Sequence, residues 1–83
     1  MNYPAWATDE KSQAAYLLQF AALQHNPEGS IALLATECGM TPASFYKAAE
    51  RGSITAGMAA AIELVVGREH ITKEVLCPKK FAS

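Results

Sequence analysis

Ser44, Lys47 and Arg51 follow one another at intervals of three and four residues, so on a helix they form one stripe. A hydroxyl, an ammonium and a guanidinium in line are hydrogen-bonding groups matched to anionic oxygens and to carbonyl or ring-nitrogen acceptors. Ala43 and Tyr46 flank the stripe, the first offering a methyl group, the second a phenol and a ring face. Two further hydroxyls, Ser30 and Thr41, stand where helices are expected to begin, and free N–H groups at such ends also receive phosphate oxygens. Lys47 suits guanine O6 or N7, or a phosphate; Arg51 suits the phosphate backbone. Ser44 can bond either base type, and Ala43 can touch a thymine methyl. The competing account of each polar residue is a solvated side chain. For Ser30, Thr41 and Thr55 a capping role comes first.

These residues need two helices to hold them. Ile31, Leu34, Ala35 and Cys38 recur at helical spacing and read as the inward face of one helix. Gly39 then supplies the left-handed residue that stops the helix and turns the chain. Ala35 is small where two helices must cross, and Met40 anchors the turn. Thr41 is a good N-cap, Pro42 belongs at the first helical position, and Phe45 and Ala48 point a second helix inward. Small residue, glycine turn, cap and inward aromatic are the spacing of a helix-turn-helix over residues 30–51. In that motif the second helix presents its outer face to a DNA groove. A plain helical hairpin shares the geometry.

The remaining helices follow from caps and breakers. Thr8 is expected to cap a first helix, with Asp9 and Glu10 in its first turn, that runs to about Gln24 and stops before Asn26-Pro27-Glu28-Gly29. Its apolar residues cover more than one side: Ala14, Leu17, Leu18 and Ala21, then Tyr16, Phe20 and Leu23. The second group packs either under Tyr3 and Trp6 or against another subunit. Gly52 ends the recognition helix. Ile54 and Thr55 open a helix over Ala56 to Val66, and Gly67 closes it. Thr72 caps a last turn, Lys73 to Leu76, which Cys77-Pro78 breaks. The sum is an all-α, compact domain of about five helices, one unit over 1–83 with a C-terminal segment at 68–83.

Composition narrows the functional classes. The chain has 83 residues, 51% hydrophobic, yet no run reaches the about 20 apolar residues of a membrane span. The N-terminus lacks the regions of a signal peptide. Cys38 and Cys77 have no histidine at ligand spacing and read as reduced thiols of a cytoplasmic protein, so no metal and no cofactor are expected. His25 and His70 sit at helix ends, away from any acid–nucleophile set, and no glycine loop cradles a phosphate. Neither an enzyme nor a small-molecule substrate is expected. The net charge is −1, but Lys11 faces four acids in residues 1–40, whereas residues 41–83 carry six bases and four acids. The second half is the basic end, with few phosphate contacts per chain.

Beyond the helix-turn-helix, the chain runs Gly52-Ser53-Ile54-Thr55, then Ala60-Ala61-Ile62-Glu63 with Gly67, then Ile71-Thr72-Lys73-Glu74-Val75-Leu76-Cys77-Pro78. Over residues 30–78 this resembles small Cro-like phage regulators, most closely the YdaS-like group. It differs at Cys77, where that group has arginine, at Ala43 and Tyr46 in place of polar recognition residues, and in its long first helix. The resemblance implies a five-helix Cro/CI-repressor-like fold, sequence-specific binding of double-stranded operator DNA, and action as a dimer in phage or prophage control. A homodimer is expected to pair through Val75, Leu76 and Phe81, or through the first helix; the rival is that Leu76 and Phe81 fold back over their own domain. The alternative function is a protein-interaction module, such as an antitoxin-type partner, on the same helices.

Overall fold

The computed structural model describes residues 2–81. Among them the chain forms six helices and no strand: α1 (Glu10–His25), α2 (Ile31–Glu37), α3 (Pro42–Arg51), α4 (Ala56–Val66), α5 (Lys73–Leu76) and α6 (Pro78–Phe81). The expected all-α class holds, with one helix more than the five read from the sequence.

Local chemistry sets the helix starts. Ser30, Thr41, Thr55 and Thr72 each accept a backbone N–H three residues on, from Leu33, Ser44, Met58 and Val75. At α1 the cap is Asp9, not Thr8. Asp9 Oδ1 accepts the Ser12 N–H at 2.8 Å, and the Asp9 N–H donates to Ser12 Oγ at 3.2 Å, a reciprocal capping box. Thr8 lacks a hydroxyl partner at its own third residue, Lys11, and loses the contest.

One apolar cluster joins the elements. Leu18, Leu34, Phe45 and Ile62 are its largest fully buried side chains, and α1 runs through the middle, packed on α2, α3 and α4. Ala21, Ala22, Ala35 and Ala59 are wholly buried, so helices approach closely at these small side chains. The apolar excess of α1 is absorbed on its other side. Tyr16 meets the rings of Tyr3 (5.9 Å), Trp6 (6.0 Å) and Phe20 (6.1 Å), the first two edge-on, the geometry that ring quadrupoles favour. Trp6 covers Tyr16 while remaining 60% exposed.

The C-terminal segment is tied by charge. Glu63 Oε2 accepts Arg68 Nη1 at 2.7 Å and the Lys73 N–H, the first amide of α5, also at 2.7 Å. Arg68 reaches on to both Glu74 oxygens at 3.3 Å. This knot ties the start of α5 to α4, and Leu76 at the end of α5 lies in the core, 3% exposed. Leu76 therefore cannot serve the dimer contact expected of it. Val75 and Phe81 are half-buried against the same core, with Lys73 Nζ 4.9 Å above the Phe81 ring. The fold-back arrangement is the one adopted. Pro78 does not end helical structure either. It starts α6, whose Lys80 and Phe81 N–H groups donate to the Cys77 carbonyl, because proline fits the first position of a helix. Ala82 and Ser83, at the end of the expected segment, lie outside the described residues. Among the described residues no helix is long and apolar enough to cross a membrane.

Candidate functional site

The α2–α3 unit is positioned from both ends. Before it, the Asn26 side chain accepts the Ser30 N–H at 2.8 Å and donates to the Ser30 carbonyl at 3.2 Å, while Gln19 Nε2 holds the Gly29 carbonyl at 2.8 Å. These contacts fix where α2 starts. At its far end, Met40 N–H donates to the Ala35 carbonyl and Gly39 N–H to the Thr36 carbonyl, with Gly39 at φ +72°. That pair of bonds is a Schellman motif, which needs a left-handed residue. The same motif closes α3: Ser53 N–H donates to Ala48, Gly52 N–H to Ala49, and Gly52 sits at φ +71°. Between the two stops, Phe45 and Ala48 are buried, and Met40, Ala49 and Cys38 pack against the core from the edges. Burial pushes the Cys38 thiol above its ordinary value, with the neighbouring Glu37 adding to the rise, so it stays protonated.

The outer face of α3 follows from that anchoring. Ala43, Tyr46, Lys47 and Arg51 are exposed, Tyr46 by 54%. Lys47 and Arg51 form no ion pair among the described residues. Arg51 Nε donates to the Lys47 carbonyl at 3.5 Å, which lays its side chain along the helix end. Ser44 departs from the expected stripe. It is half-buried, and its hydroxyl donates to the Thr41 carbonyl at 2.7 Å, so only its oxygen lone pairs remain for an outside partner. Ser30 and Thr41 are committed to capping: Ser30 Oγ accepts the Leu33 N–H at 3.2 Å and Thr41 Oγ1 the Ser44 N–H at 3.3 Å.

Three exposed residues near this unit lie outside the stripe reading. Glu50 is one, and its spacing from Tyr46 and Lys47 already placed it on the outer side of α3. Leu33, 49% exposed on α2, stands beside exposed Thr36 and Glu37. The third is Lys11. A Cβ at Gly52 would lie 2.9 Å from the Lys11 backbone nitrogen, so the first turn of α1 abuts the end of α3. The Lys11 backbone and the end of α3 are thus brought together from opposite halves of the chain, a proximity no local pattern carries. Glu37 and Glu50 add two acids to the exposed residues of the unit. The free side of α3 presents Lys47 and Arg51, one aromatic and two small side chains, groups able to donate hydrogen bonds and to make methyl contacts.

Comparison with protein-family models, with curated proteins and with solved structures yields no match.

Proposed function

We propose that the protein is a sequence-specific DNA-binding transcriptional regulator that lays α3 in the major groove, in the manner of the small Cro-like regulators its sequence resembles. The observation that carries this reading is the α2–Gly39–α3 unit itself. Two Schellman stops and a buried Phe45 hold a helix whose free side bears Ala43, Tyr46, Lys47 and Arg51. In this reading Lys47 and Ser44 meet base edges, Tyr46 and Ala43 meet sugar, phosphate or a thymine methyl, and Arg51 with Lys11 meets the backbone. Ser30 and Thr41 add phosphate contacts beside their caps.

Few cations per chain make a monomer a weak binder, so the functional unit is a homodimer with two copies of α3 about 34 Å apart. With Leu76 in the core, and Tyr16 packed with Tyr3, Trp6 and Phe20, the pairing surface left on the first-helix side is its exposed remainder, Leu23 at 53% and Trp6 at 60%. Selection of bound sequences from a random duplex pool, followed by titration across salt, tests the reading. Three cations per protomer predict a log–log salt slope of about −5 for the dimer and a preference for a palindrome. Binding that is absent or flat with salt refutes it. A protein-interaction module is the second reading; it is favoured by Leu64, 86% exposed on α4, and by the acids Glu37 and Glu50 on the α2–α3 face.

A further inference from the structure

A cleft of about 200 Å³ lies between the first turns of α1, the connector after α3 and the α5–α6 segment. Its floor is Leu17, Ile54, Leu76 and the thiol-bearing Cys77, all buried, and Val75 and Tyr3 stand at its sides. No buried side-chain nitrogen or oxygen among the described residues lacks a hydrogen-bond partner, so no orphaned polar group in the floor needs a water. The charges stay at the mouth. Glu10 and Lys79 face each other at 4.0 Å and are 76% and 84% exposed.

We infer that this cleft binds a small, uncharged ring compound about the size of phenol, with the ring against Leu17, Ile54 and Val75 and the polar end toward Ser53 at the mouth. Three observations select that class. The volume exceeds the about 150 Å³ that suffices for a benzene ring in a protein cavity. The lining returns apolar burial to a ring and offers no buried counter-charge, so a charged ligand is desolvated without compensation. The rim carries one cation and one anion, Lys79 and Glu10, so it favours neither sign of charge. The site adjoins the end of α3: Ser53, whose N–H closes that helix on Ala48, is part of the lining, as is Gly52. An occupant therefore touches the stop of the proposed recognition helix. Four separate stretches of the chain build the lining, and for that reason no sequence motif announces it. The inference concerns the free protein and stands apart from the DNA-binding reading.

Methyl and amide NMR of the free full-length protein, titrated with phenol, tests it. The expected result is saturable shifts centred on Leu17, Ile54, Val75 and Leu76, with benzoate and benzylammonium binding at least tenfold more weakly. Val75→Trp fills the cleft and abolishes saturation. Ser53→Trp, at an exposed position, closes the mouth to the same effect should the first variant fail to fold. Shifts that never saturate, that centre elsewhere, or that persist in the folded filled variant overturn the inference. Tighter binding of either charged probe does so as well.

Discussion

Gly39 and Gly52 have almost the same backbone angle, φ +72° and +71°, and stand in opposite surroundings. A Cβ built on Gly39 meets nothing within 4 Å. One built on Gly52 meets Lys11 N at 2.9 Å, Glu10 C at 3.0 Å and Lys11 Cα at 3.0 Å, all backbone atoms of a helix that cannot rotate aside. Alanine at either position incurs the left-handed penalty of about 1–2 kcal/mol. Only Gly52→Ala must also move the first turn of α1, an overpacking cost of about 1–3 kcal/mol. The expected losses are therefore about 1–2 kcal/mol for Gly39→Ala and about 2–5 kcal/mol for Gly52→Ala. Against a total stability of roughly 4–12 kcal/mol for a chain this size, the second change approaches unfolding. Urea unfolding followed by circular dichroism reads both, provided the m-values agree. Equal losses, or a larger loss at Gly39, would refute the close approach of α1 to the end of α3.

Lys47→Ala is expected to cost about 1–3 kcal/mol of specific DNA affinity and to relax preference at one base position, read by fluorescence anisotropy on the selected site; unchanged affinity removes Lys47 from the interface. Glu63→Ala removes the acceptor of the Lys73 N–H and of Arg68, and is expected to cost about 1–3 kcal/mol with faster hydrogen exchange at the Lys73 amide; an unaltered exchange rate would show that α5 is held by packing alone. Hydrogen bonds from the Ser12 hydroxyl and the Ser12 N–H hold the Asp9 carboxyl below its ordinary 3.8. A depressed carboxyl stabilises the fold above pH 3.8 and loses that contribution as pH falls through the lower folded value. Carbon-13 titration should find Asp9 below 3.8, and a value above it sinks the capping box.

Helix ends were legible because their signals are short. Ser30, Thr41, Thr55 and Thr72 stand beside the apolar runs they cap, and Gly39, Gly52 and Gly67 close those runs, so α2 to α5 follow from neighbours within four residues. The cap of α1 was misplaced by one residue, since two good capping residues are adjacent and only Asp9 has a serine three positions on to reciprocate. Leu76 shows a different limit. It is buried in a cluster built by helices distant in the chain, a tertiary arrangement that a local apolar count does not contain. On the outer face of α3, the helical period identified Ala43, Tyr46, Lys47 and Arg51, misplaced Ser44, whose hydroxyl folds back on the Thr41 carbonyl, and left out Glu50. The approach of the Lys11 backbone to the end of α3 comes only through tertiary packing.

The five side-chain caps also bear on how the chain acquires its shape. Each is closed between residues three apart, and even the Glu63 knot spans only twelve residues, 63–74. Ordering such contacts closes very small loops, so little chain entropy is lost before each bond forms. Folding dominated by contacts of this kind runs on the microsecond-to-millisecond scale. Helices of four to sixteen residues are marginal alone in water, so they complete only as the shared core around Leu18, Leu34, Phe45 and Ile62 forms.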